Sequence, residues 1–181
     1  MVHQVVSQFY ELPIEYLCVA TILSCALWLV GAYLFMQKLW WKLVNIVVFV
    51  VALLLIIAIT LLYRESEKTG VFLVPFSGFS VAKQHPDVYI QMALNVLLFL
   101  PFGLSMPFCV KDRVKHPVLS TIVTALLLSI IVEILQYVFS CGYSEIDDVM
   151  FNVFGTFLGT FSYIIADIIK KKSVKRKNKV G

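Results

Sequence analysis

The sequence predicts an all-α polytopic membrane protein with five transmembrane helices, its N-terminus outside and its C-terminus cytoplasmic. Composition is the first observation. Of 181 residues, 60% are hydrophobic and only 14% are charged, where a soluble domain carries nearer a quarter charged residues. Mean hydropathy is +0.90. The second is blockiness, because the apolar residues gather in runs that reach the roughly 20 residues a helix needs to cross a bilayer. The third is the alternation of basic residues between successive connections, which sets the orientation.

The spans read off as residues 14–36, 42–63, 90–110, 118–140 and 149–169. No basic segment precedes the first span and no small-residue cleavage site follows it, so it is expected to be a helix of the mature protein rather than a signal peptide. The third span contains Pro101 and Pro107. Neighbouring helices re-satisfy the carbonyls that proline frees, so a kink is expected there and not a break. The sequence divides into a two-helix membrane region over 1–63, a membrane domain over 64–169 and a basic cytoplasmic tail over 170–181.

With the N-terminus outside, twelve of the fifteen lysines and arginines fall on the cytoplasmic side. Seven of them form the tail from Lys170 to Lys179, which reads as a stop-transfer anchor drawn to the inner leaflet and not as a nucleic-acid contact. Cys18, Cys25 and Cys109 lie within spans, as small packing residues do. Cys141 has no evident partner, so no disulfide framework is implied.

This topology directs the strongly polar intramembrane residues beyond the second span to the outer side. Glu133 falls about 10 Å below the outer end of the fourth span at ~1.5 Å per residue, and Gln136 shares its face. An ionisable group at that depth costs roughly 2.5–3.5 kcal/mol on insertion scales and marks a functional site by default. Asp148, Asn152, Gly155 and Gly159 draw a stripe down the fifth span. Asn95 lies in the outer half of the third, and Arg64 caps the second and is the natural counter-ion for Glu133. Gly155 and Gly159 suit close helix packing, and a homo-oligomer formed through their face is a further option. Asn95, Gln136 and Asn152 serve either as interhelical hydrogen bonds or as ligand contacts. Asp147 and Asp148 precede a helix, where carboxylates satisfy free amides. Walker loops, paired-cysteine or histidine metal spacings and nucleophile elbows are missing from the sequence, so neither a metal nor another cofactor is expected.

Together these residues resemble the VanZ-like family of small membrane proteins. The run from Asn95 to Gly103 is similar to that family's Asn-x-x-x-Phe-x-Pro-Phe-Gly, and Glu133-x-x-Gln136 to its Glu-x-x-Gln pair. Glu145-Ile146-Asp147-Asp148 with Asn152, Gly155 and Gly159 resembles its acidic corner and following helix, and Arg64 with Leu73-x-Pro75-Phe76 resembles two further elements. Two positions depart from the pattern. Phe72 stands where Asn is expected, and Tyr143 where an Arg is usual, which removes an outward-facing cation.

The resemblance implies a protein of the bacterial cytoplasmic membrane, in a Gram-positive cell envelope, that lowers susceptibility to teicoplanin or related lipoglycopeptide antibiotics. A non-catalytic protein would bind a membrane lipid, a lipid-linked cell-wall precursor or the antibiotic itself. Its contacts would be Arg64, Asn95, Gln136, Asp147 and Asn152. An intramembrane enzyme acting on a lipid or cell-wall intermediate would use Glu133 as acid or base and Asp148 as second carboxylate. A proton-coupled transporter ranks third, because the sequence has no internal repeat. The non-catalytic reading ranks first, since no recognised nucleophile accompanies the carboxylates.

Overall fold

A computed structural model describes residues 13–62, 70–140 and 142–180. It contains five helices long and apolar enough to span a bilayer. These are α1 (Ile14–Phe35), α2 (Leu39–Ile57), α4 (Asp87–Val110), α5 (Pro117–Val138) and α6 (Ile146–Val180), with a short α3 (Ser77–Ala82) before α4. A π-helical turn, Ala58–Leu62, prolongs α2. Two three-residue strands, β1 (Gly70–Phe72) and β2 (Tyr143–Glu145), pair in parallel, Gly70 opposite Tyr143 and Phe72 opposite Glu145. The five spans match the helices expected from hydropathy. Helix α6 continues through the basic run after Ile169 to Val180.

Helices α4 and α6 form the centre. Association between helices in lipid relies on close packing, because lipid chains are as apolar as leucine. Three glycines supply the close approach. A Cβ on Gly103 would lie 2.1 Å from the Thr156 carbonyl oxygen, one on Gly155 2.1 Å from the Val96 carbonyl oxygen, and one on Gly159 2.6 Å from that of Leu100. The two backbones therefore touch. The Gly155/Gly159 stripe is covered by α4 of the same chain, so it does not offer a face for self-association.

Pro101 and Pro107 lie inside an unbroken α4, and the Ser105 hydroxyl donates to the Pro101 carbonyl at 2.7 Å. On one side of this centre, Ala52 and Ile56 of α2 pack with Phe99, Phe102 and Met106 of α4 and with Ala125 and Val132 of α5. On the other, Ala32 and Met36 meet Trp41, Phe108 and Ala166. Asn45 lies fully buried at that end, where its amide donates to the Trp41 carbonyl at 2.7 Å and its oxygen accepts from Trp28 Nε1 at 3.2 Å. Helix α1 is the most peripheral, and its leucines and valines are largely exposed, as lipid-facing side chains are.

The opposite end of the bundle is less regular. Ser140 takes a left-handed conformation, φ 54°, and stops α5 as a glycine usually would. Phe76 is left-handed too, φ 62°, a conformation that is uncommon for a bulky residue and needs support from its surroundings. That support comes from the candidate site.

Candidate functional site

Helix α5 carries Ser129, Glu133 and Gln136 on one buried face, as the spacing of four and three residues requires. Helix α6 begins at Ile146, so Asp147 and Asp148 both fall in its first turn. Asn152 lies one turn below Asp148, facing α5. The Asn152 Nδ2 amide donates to Ser129 Oγ at 2.9 Å, and the Asn95 Nδ2 amide of α4 donates to Asp148 Oδ1 at 2.7 Å. Glu133, only 5% exposed, accepts at Oε2 from the Glu145 backbone N–H at 2.9 Å. Its carboxylate thereby ties α5 to the strand that leads into α6. Glu133, Glu145 and Asp148 each take part in at least one further interaction.

Gln136 serves the end of α2. The last carbonyls of a helix have no partner within it, and the Gln136 Nε2 amide donates to the Thr60 carbonyl at 3.1 Å. Among the described residues, its own oxygen Oε1, and Oδ1 of Asn152, are buried without a hydrogen-bond partner. The seam thus holds two spare acceptors, each a group whose burial costs about 1–3 kcal/mol when unmet.

Asp147 has a different task. Both oxygens of its buried carboxylate are taken by backbone amides of the segment before α3. Oδ1 accepts from the Phe76 N–H at 2.6 Å and Oδ2 from the Gly78 N–H at 2.8 Å. The sequence suggests that this residue caps a helix, fixes the loop or contacts a ligand. In the structure it caps a neighbouring helix and holds Phe76 in its left-handed conformation. Val71, Phe72, Leu73, Val74 and Phe76 are all exposed. Residues 70–82 therefore form an apolar strap beside the polar seam, held at its start by the β1–β2 pair and at Phe76 and Gly78 by the Asp147 carboxylate.

The structure brings Glu133, Gln136, Asn95, Asp148 and Asn152 to one end of the bundle, with Asp147 beside them. Gly155 and Gly159 belong to the α4–α6 crossing below. Arg64, expected as the counter-ion, lies outside the described residues, as does Cys141. Sequence reasoning missed Ser129, although its position four residues before Glu133 on the same face was a usable signal. It also missed Thr60 and the β1–β2 pair, which carry no local signal. Phe72 and Tyr143, the two departures from the family pattern, are in contact. Their rings lie 5.3 Å apart at 70° across the strand pair.

The family model for VanZ/LLP1 matches residues 45–167, from within α2 to the last turns of the apolar part of α6. Protein VanZ of Enterococcus faecium is 37% identical over 73 residues, which is 40% of this chain and 44% of that protein. The matched stretch thus spans less than half of that relative. No solved structure matches the chain. With the family model covering the polar seam, the strap and the glycine crossing together, the chain belongs to the VanZ/LLP1 family.

Proposed function

We propose that this protein lowers bacterial susceptibility to teicoplanin or related lipoglycopeptides, acting without catalysis at an outer polar corner. In this reading it sits in the cytoplasmic membrane with its N-terminus outside and its C-terminus inside. The corner then faces the leaflet where the drug meets lipid-linked cell-wall precursors. The distribution of lysine and arginine supports that orientation, and family membership supports the phenotype.

One observation carries the binding reading. A seam of carboxamides and carboxylates, from Asn95 and Asp148 to Glu133 and Gln136, adjoins a strap whose side chains are apolar and exposed. Such a surface suits an amphiphile, with its polar group at the seam and its chain along the strap. A lipid-linked precursor, a lipid headgroup with its chains, or the acylated antibiotic has that character.

The test is teicoplanin susceptibility of a sensitive Gram-positive host carrying the protein, or its Glu133→Gln or Asp148→Asn variant, at equal membrane abundance. Binding predicts protection by the unaltered protein and partial loss in each variant, as when one contact of several is weakened. No protection by the unaltered protein would refute the proposal. The enzyme reading is favoured by one fact, that Glu133 is a buried carboxylate fixed by a backbone N–H. It predicts near-complete loss in Glu133→Gln with expression intact, and protection equal to wild type in that variant would sink it.

A further inference from the structure

At the end of the bundle opposite the polar corner, the turn between α4 and α5 and the second half of α6 enclose a cleft of about 370 Å³. Lys111 and Lys115 of the turn and Lys171 of α6 line it, above walls that include Val118 and Ile164. We propose that this cleft binds the phosphate-bearing headgroup of an anionic membrane lipid, a site independent of the outer corner.

The charges in the cleft do not balance. Asp167 is the acidic residue of its lining, and Lys171 Nζ lies 2.6 Å from that carboxylate. Asp112, the acid of the turn itself, is engaged by Lys42 at 3.2 Å. Lys111 Nζ donates to the Met36 carbonyl at 3.0 Å, which holds the ammonium in place without neutralising it. Three lysines thus face one carboxylate, and a phosphate complements the excess. The first turn of α5 adds to the attraction, because His116 gives it no side-chain cap and its amides favour negative charge.

The walls decide for a lipid over a soluble anion. Ile164 continues into Ile165 and Ile168 on α6, and Val118 into Leu119 on α5, and of these Ile165, Ile168 and Leu119 are exposed. The cleft therefore opens sideways onto the apolar surface that faces lipid chains. A headgroup held by the lysines would leave its acyl chains on that surface, whereas a free phosphate would use only the upper half of the site.

The experiment uses the full-length protein in mild-detergent micelles doped with phosphatidylglycerol or phosphatidylcholine, and counts retained lipids by native mass spectrometry. Lys115→Gln/Lys171→Gln removes two cleft charges. Lys38→Gln/Lys172→Gln removes two from the same end outside the cleft. All four side chains are exposed, and equal unfolding temperatures in phosphatidylcholine check the fold. The unaltered protein and the second variant should retain phosphatidylglycerol preferentially, while the first loses that retention by roughly tenfold or more. Equal loss in both variants would reduce the effect to diffuse attraction and overturn the site. A lack of preference in the unaltered protein would overturn it too. Competition by water-soluble glycerol 3-phosphate as strong as that by the lipid would overturn the lipid assignment.

Discussion

Replacing Asp147 with alanine is expected to release the strap around Phe76 and Gly78 while leaving the β1–β2 pair and the five-helix bundle in place. Two bonds are lost, from the Phe76 N–H at 2.6 Å and from the Gly78 N–H at 2.8 Å. A hydrogen bond to a charged group contributes about 1.5–3 kcal/mol net, which sets an upper value of ~3–6 kcal/mol for the pair. Phe76 is 56% exposed, so water replaces much of its loss once the strap lifts. Gly78 is buried and loses more. The left-handed Phe76 also relaxes on release, at no cost to the opened state. Local opening should therefore become easier by about 2–4 kcal/mol.

Hydrogen exchange followed by mass spectrometry reads this directly. Protection of the Gly78 amide should fall about 30- to 1000-fold, with exchange in α4 and α6 near that of the unaltered protein. Asp147→Asn should fall between the two, because a carboxamide offers one acceptor and turns a donor toward the second amide. Unchanged exchange at Gly78 in Asp147→Ala, or an equal effect from Asp148→Ala, would refute the mooring role.

Other consequences follow from single contacts. Gly155→Ala places a Cβ 2.1 Å from the Val96 carbonyl oxygen, so α4 and α6 must separate. A loss of about 1–3 kcal/mol or more is expected, read as a lowered unfolding temperature in detergent. Ser129→Ala deprives the Asn152 amide of its acceptor and should cost about 1–3 kcal/mol. A double-mutant cycle with Asn152→Leu should show non-additivity, because the pair shares one bond. Asn45→Leu removes the bridge between Trp28 and the Trp41 carbonyl. It should lower stability by about 1–2 kcal/mol in denaturant titration and shift tryptophan emission. Tyr143→Ala removes the ring contact with Phe72 and should loosen the strand pair by about 0.5–1.5 kcal/mol, seen as faster exchange at Val71 and Ser144.

Length and hydropathy made the helices legible, since only backbone-satisfied helices or closed barrels cross a bilayer. The glycines of α6 were legible as packing residues, but their partner was not. Gly103 sits between two prolines in another helix, and nothing local says that its backbone meets Thr156. The polar seam was legible for the same reason that Glu133 stands out, because every polar group inside an apolar run needs a partner. Its pairing was not, since Gln136 bonds a main-chain carbonyl 76 residues away and any carbonyl would have served. The strap was least legible. Its apolar residues form no span, and its strand partner arrives more than 70 residues later through a three-residue match.

The adjacent pair Asp147-Asp148 shows where spacing ends and geometry begins. Successive residues of a helix point about 100° apart at 3.6 residues per turn, so the two neighbouring carboxylates in the first turn of α6 face different neighbours. Asp147 turns to the strap, where each of its oxygens accepts one backbone amide, whereas Asp148 turns to α4 and meets Asn95. The first fixes the position of an apolar element, and the second contributes an oxygen to the seam. If the corner binds an amphiphile, the two variants should separate its halves. Asp147→Asn should weaken recognition of the chain, and a shorter-chain ligand should lose less by it. Asp148→Asn should weaken recognition of the polar group equally for every chain length. Ligands that differ only in acyl length, compared for retention by the two variants, test that division, and the same chain-length dependence in both would refute it.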